Sequence, residues 1–162
     1  MIDPLVIAWA AGFFDGEGCV MVEMSKEARC RHKFRTSLHV TVTQTSLPCL
    51  QIYLEHFGGS IVTSNNRTPN GRRWAVQHRW VARNEEALNF LQIVEPYVIV
   101  KKEQVKAALK YPLKSPDGVK YGNKTNPIPD DVMQARVAVR ALLKDIRASM
   151  KTMALPAKVP HG

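Results

Sequence analysis

No apolar run in the chain approaches the roughly 20 residues of a membrane span, so no membrane partner is expected. Cysteine is scarce: Cys19, Cys30 and Cys49 are an odd number without CxxC spacing. This argues against a disulfide framework or a zinc knuckle and fits a reducing compartment. The phosphate-loop pattern GxxxxGK[ST], the dinucleotide pattern GxGxxG and the zinc pattern HExxH are absent, and no small-molecule substrate is expected. The start, Met1-Ile2-Asp3-Pro4, lacks the basic opening of a secretory signal and the Arg-rich character of a transit peptide. An intracellular location is therefore expected, in an organelle (chloroplast or mitochondrion) or in bacterial or phage cytoplasm. Acids are also few: 14 Asp and Glu face 23 Lys and Arg in 162 residues, a net charge of +9.

That excess points to a polyanionic partner, nucleic acid before membrane. It is unevenly placed. Residues 1–100 hold 10 basic and 9 acidic side chains, whereas residues 101–162 hold 13 and 5. The length suits one domain, expected over residues 1–153, with residues 154–162 (Pro156, Pro160, Gly162) as a flexible tail.

Asp3 and Pro4 open a helix predicted to run to Gly16. Leu5 to Phe14 carries no charge, so this helix is expected to be buried on more than one side. Ala8, Gly12 and Gly16 recur every four residues and form a stripe that another backbone can approach closely. Two strands follow. Cys19–Lys26 places Val20, Val22 and Met24 on one face. Phe34–Thr43 places Phe34, Leu38, Val40 and Val42 on one face and Arg35, Ser37, His39, Thr41 and Thr43 on the other. A helix is predicted over Leu47–Phe57, capped by Thr45 or Ser46 and ended by Gly58-Gly59. Strands over Ser60–Asn65 and Trp74–Ala82 flank a turn at Pro69-Asn70-Gly71. Asn84 is expected to cap the next helix, which Pro96 ends; another spans about Ile99 to Leu109 or Lys110, and a last amphipathic helix runs from Pro129 to about Met150.

This order reads as α+β, αββαββα with further C-terminal helices: a four-stranded antiparallel sheet with helices on one face. The other face stays open and polar, and suits a nucleic-acid groove. Its clearest members are Met21, Glu23, Ser25, Arg35, Ser37, His39 and Thr41. Polarity adds Gln77 and Arg79, and Arg72 and Arg73 are candidate phosphate contacts.

The chemistry concentrates in Ala10-Ala11-Gly12-Phe13-Phe14-Asp15-Gly16-Glu17-Gly18. A tightly packed helix ends there by delivering two acids, Asp15 and Glu17. Its last turn also carries unpaired carbonyls, that of Gly16 included. Carboxylate and carbonyl oxygens together suit a hard cation such as Mg²⁺, which completes its shell with substrate phosphates.

The stretch resembles the LAGLIDADG motif of homing endonucleases, single-motif type. Ala11, Gly12, Asp15 and Gly18 match the consensus; Ala10 stands for Leu and Glu17 for Asp, one methylene longer. The element order over about residues 4–111 is similar too, as are Val42-Thr43-Gln44 and Pro96 to Gln104. The resemblance implies a site-specific, Mg²⁺-dependent double-strand DNA endonuclease with two or more divalent ions shared with DNA phosphates. It implies Glu17 as metal ligand aided by the Gly16 carbonyl, Gln44 ordering the water network, and Lys101 near the attacking water. Asp15 is expected to support the site from behind. The additional basic residue frequent after the Gln is missing, since Leu47-Pro48-Cys49 occupies that region. Family-like spacing would expose His78 and Trp80 rather than Gln77 and Arg79. A single motif implies a homodimer packed through Ala8, Gly12 and Gly16 and reading a pseudo-palindromic site. The alternative is a non-catalytic relative, an RNA splicing cofactor (maturase) or a DNA-binding regulator.

Overall fold

The computed structural model describes residues 2–64, 75–122 and 125–153. Helix α1 (Pro4–Glu17) starts where Asp3 accepts the Leu5 N–H at 2.9 Å and Pro4 needs no donor. Strands β1 (Gly18–Lys26) and β2 (Phe34–Gln44) precede α2 (Leu47–Phe57). Strands β3 (Ser60–Ser64) and β4 (Gln77–Arg83) precede α3 (Glu85–Val94), α4 (Lys102–Ala108) and α5 (Asp130–Met153). The four strands form one antiparallel sheet in the order β1-β2-β4-β3. The αββαββα frame with added C-terminal helices is the α+β architecture read from the sequence. No helix among the described residues is long and apolar enough to cross a membrane.

The period of two in β1 and β2 sends Val20, Val22, Leu38, Val40 and Val42 into the core. Tyr53 of α2 sits at its centre, ringed by Trp80, Phe57 and Phe90. Its hydroxyl donates to the Ala10 carbonyl at 2.6 Å and so ties α1 to the helical layer.

Several local expectations give way to other partners. Ser46 occupies the N-cap position of α2 without a side-chain capping bond; its hydroxyl accepts instead from Cys49 Sγ. Asn84 occupies the N-cap position of α3, its carbonyl accepting the Leu88 N–H at 2.9 Å, but its side chain makes no capping bond. Its Oδ1 accepts from the Leu38 N–H at 3.1 Å and the Ser37 hydroxyl at 3.2 Å, extending the sheet where β4 ends. Helix α4 begins at Lys102, not Ile99, because the preceding amides are bonded elsewhere. Thr36 turns inward, its hydroxyl accepting from Tyr111 at 3.0 Å. Strand β4 starts at Gln77, so Ala75 and Val76 lie before it, and Trp74 lies outside the described residues. The predicted turn at 69–71, Arg72, Arg73 and the tail 154–162 lie outside the described residues.

Helix α1 does not bury more than one side within the chain. Ala10, Ala11 and Phe14 face the core, while Leu5, Ala8, Trp9, Gly12 and Gly16 are exposed.

The junction between α1 and β1 is the tightest spot near the motif. At Gly18, whose backbone is ordinarily extended (φ −81°), an added Cβ would lie 2.5 Å from the Phe14 carbonyl oxygen and overlap the Phe14 ring. Space, not torsion, requires glycine. Gly18→Ala is expected to cost about 1–3 kcal/mol through overpacking, read as a lower urea midpoint with an unchanged slope.

Candidate active site

Helix α1 delivers three successive residues to one place. Asp15 points toward the turn before α4, and its carboxylate accepts three consecutive backbone N–H groups: Ile99 at 2.6 Å, Val100 at 3.1 Å and Lys101 at 2.9 Å. These amides belong to the turn just ahead of α4, and a carboxylate at that end is also favoured by the helix dipole. The backbone carbonyl of Asp15 accepts from the Lys101 ammonium. Lys101 is thus held at both ends by one residue, its Nζ also 5.9 Å from the Phe14 ring centroid. Burial pushes the Lys101 pKa below its ordinary value, against the opposing pull of Asp15, Cys19 and Glu17.

Glu17 is exposed and has no hydrogen-bond or ion-pair partner among the described residues. Gly16 is exposed too, in the last helical turn where carbonyls lack an internal donor. The register Gly18↔Val42 aligns the start of β1 with the end of β2. Gln44, two residues past Val42, therefore lies at the same end of the sheet as Glu17. Its Oε1 accepts from the Thr45 N–H at 2.9 Å. The topology so brings Asp15, Gly16, Glu17, Gln44 and Lys101 to one end of the sheet. No group of three His, Cys, Asp or Glu able to hold a metal occurs among the described residues.

The helix-free face of the sheet is read from the register. Met21, Glu23 and Ser25 pair with His39, Ser37 and Arg35, and Thr41 pairs with Val81. Trp80 faces Val42 and is fully buried, its indole donating to the Gly58 carbonyl at 2.8 Å. His78 shares that inward side, opposite Gln44. Gln77 and Arg79 consequently belong to the open face with Thr43, as polarity indicated, and His78 and Trp80 do not. Arg83, paired with His39, also belongs there, one residue beyond the strand end that the sequence predicts at Ala82. The alternation from Arg79 through Val81 was the signal that could have found it.

His39 lies 3.2 Å from Glu23. Burial lowers its pKa; Glu23 opposes this, and Arg83 and Arg79 add to it. A neutral imidazole, one donor and one acceptor, results at neutral pH.

Residues 10–111 match the family model described as LAGLIDADG endonuclease. The chain belongs to the LAGLIDADG endonuclease family. Solved members of similar fold include the homing endonuclease I-CvuI in complex with its target, at 21% identity over 94% of this chain and 97% of that one, TM-score 0.61. The archaeal intron-encoded homing endonuclease I-Vdi141I complexed with DNA matches at 17% over 98% and 89%, TM-score 0.56. The I-SmaMI LAGLIDADG homing endonuclease bound to cleaved DNA matches at 18% over 100% of this chain but 52% of that one, TM-score 0.57. No curated protein matches the chain. The LAGLIDADG motif here is the C-terminal half of α1 and the first residue of β1.

Asp15→Asn leaves one acceptor oxygen where the carboxylate offers two. It is expected to cost about 1–3 kcal/mol, with hydrogen exchange of the Ile99, Val100 and Lys101 amides accelerated more than that of the sheet.

Proposed function

We propose that this protein is a homing endonuclease: a homodimer that hydrolyses both strands of a long pseudo-palindromic DNA site with Mg²⁺. The observation that carries the reading is the clamp of Asp15 on the turn of Lys101. It holds an ammonium and the exposed Glu17 carboxylate at the same helix end, beside an open polar sheet face.

The donor set fits the metal. Glu17 and the Gly16 carbonyl are hard oxygen donors, too few for a closed cage, which matches an ion that takes its remaining ligands from phosphate and water. One carboxylate per chain would leave two or more divalent ions to draw further oxygens from the DNA phosphates. When bound, Mg²⁺ supplies electrophilic polarisation of the phosphate and of the attacking water. The rest falls to the protein. Lys101 places a positive charge where the phosphate accumulates negative charge, and its partial burial strengthens that interaction. Gln44 orients water through its amide. The turn clamped by Asp15 keeps Lys101 from drifting, and about 1 Å of misplacement can cost on the order of 10²-fold in rate.

Recognition is assigned to the open face. Arg35, Arg79 and Arg83 can each take a guanine edge through two N–H groups, and Gln77 an adenine edge. Met21, Ser25, Ser37 and Thr41 offer shape and weaker contacts beside the His39–Glu23 pair. Arg72 and Arg73 remain candidate phosphate contacts.

One motif supplies one site, and a double-strand cut needs two. The exposed stripe Ala8, Gly12 and Gly16 suits an isologous contact between two α1 helices. At Gly12 and Gly16 an added Cβ would meet nothing within 4 Å, so packing inside the chain does not explain either glycine. The whole of this chain corresponds to 52% of I-SmaMI, the proportion expected where one polypeptide does what two copies do here. A purely nucleic-acid-binding relative would have no use for Lys101 held beside Glu17.

Two experiments test the reading. With a library of DNA sites, Glu17→Gln is expected to abolish Mg²⁺-dependent cleavage while binding persists, because a ligand and a charge facing phosphate are both lost. In the same single-turnover assay Lys101→Met should slow the wild-type cut by ~10²–10⁴-fold. Full cutting by either variant would remove its residue from the site. Separately, Gly12→Val inserts a branched side chain twice at the helix crossing, at a cost of ~1–3 kcal/mol or more. Sedimentation should then show monomers and cleavage should fail with dimerisation, while salt-sensitive DNA binding survives. An active dimer would place the partner surface elsewhere.

A further inference from the structure

Arg136 is the one charged side chain among the described residues that the fold buries, at 3% exposure. Its Nε donates to the Pro112 carbonyl at 2.9 Å, and its guanidinium lies 5.0 Å from the Tyr111 ring centroid. The Tyr111 hydroxyl is a second, neutral hydrogen-bond partner, so what the guanidinium lacks is a countercharge rather than every acceptor. Every Asp and Glu of the chain lies among the described residues, and none forms an ion pair with Arg136. Burial accordingly lowers its pKa, with Tyr111 and Tyr121 pulling the other way. A buried charge without a countercharge is costly, and proteins resolve it by pairing or by a bound ion.

Arg136 lines a cavity of about 430 Å³ between the β1–β2 loop, the segment after α4 and the first turns of α5. Arg31, His32 and Arg35 line it as well. These three have acidic partners: Arg31 lies 3.0 Å and His32 3.6 Å from Asp130, and Arg35 lies 3.8 Å from Glu27. The surrounding charges therefore offset one another, and the guanidinium of Arg136 is left over.

We propose that this cavity is an oxyanion site of phosphate type, with Arg136 as its central ligand. A guanidinium fork matches two oxygens of a phosphate, and the tyrosine ring behind it keeps the plane fixed. The occupant is either a free inorganic anion or a phosphate of bound DNA; the chemistry of recognition is the same. The site is separate from Glu17 and does not depend on the nuclease reading.

The probe is inorganic phosphate, added to the full chain at constant ionic strength with chloride as reference. The wild-type melting midpoint is expected to rise saturably, by about 8 °C when phosphate stands about a hundredfold above its dissociation constant. Arg136→Met should fold, since an apolar side chain replaces an unpaired buried charge. It should retain only the non-saturating rise that phosphate gives any protein. If that variant does not fold, Arg136→Lys keeps the charge without the fork and should weaken the phosphate response at least tenfold. The source is separated by DNA binding across a salt series. A DNA phosphate in the cavity makes the slope of log affinity against log salt about one unit shallower in the variant; a free anion leaves it unchanged. A lost phosphate response or a shallower slope supports the site. Identical phosphate responses together with identical salt slopes overturn it.

Discussion

The carboxylate of Asp15, accepting three successive N–H groups from the turn before α4, holds the end of α1 and the start of α4 in one fixed relation. Without it the three amides of the turn leading into α4 would lose their acceptor. The same residue's carbonyl takes the Lys101 ammonium, so backbone and side chain of Lys101 are fixed from a single point. The other side of that point is equally constrained. Gly18 sits against Phe14, and Phe14 meets Phe90 edge-on at 5.2 Å. Glu17 lies between two rigid neighbours, one held by hydrogen bonds and one by packing. An exposed carboxylate can keep a defined position only when its backbone is held in this way.

The sheet imposes a second constraint, the period of two. Once Gly18↔Val42 and Val42↔Trp80 are set, every side chain on three strands has a face. Burial of Trp80 on one side places Arg79 and Arg83 on the other. The resulting open surface has an inner pair, Glu23 and His39, with Arg79 and Arg83 close enough to His39 to depress its protonation. Such a mixture of donors and acceptors differs from a uniformly basic patch, which would attract any polyanion but discriminate poorly.

What was legible in the sequence followed from local rules. Asp3-Pro4 starts α1, strict alternation marks β1 and β2, and Gly58-Gly59 stop α2, both in the left-handed region (φ 72° and 85°). What was not legible depended on partners far along the chain. Asn84 has the composition of a cap, yet its side chain serves β2, 46 and 47 residues away. Ile99 and Val100 have apolar character that suits a helix, yet their amides belong to Asp15, 84 and 85 residues distant. Thr36 broke the apolar pattern of β2 because Tyr111 supplies its hydrogen-bond partner from beyond α4. Arg136 looked like any cation of an amphipathic helix, and only packing shows it buried. At the candidate site the motif named Asp15 and Glu17, but the clamp that connects Asp15 to Lys101 is a property of the fold.

The three glycines of the motif separate into two physical cases. Gly18 is required inside the chain, because Phe14 leaves no room for a Cβ. Gly12 and Gly16 have open space beside them, and a mid-helix glycine costs about 1 kcal/mol relative to alanine. On the same helix Leu5 is 78% and Trp9 38% exposed, with Phe13 stacked on Trp9 at 5.3 Å. A lone chain would gain stability by replacing both glycines, and it leaves Leu5 largely in water. The helix becomes intelligible if a second backbone lies against it, because a close crossing rewards small residues and covers the apolar ones. That crossing would lie on the helix that carries Asp15 and Glu17, so the contact that joins two chains would also set the spacing of their carboxylates. Through the bonds from Asp15 it would set the position of Lys101 as well, and assembly and catalysis would then share one short length of backbone.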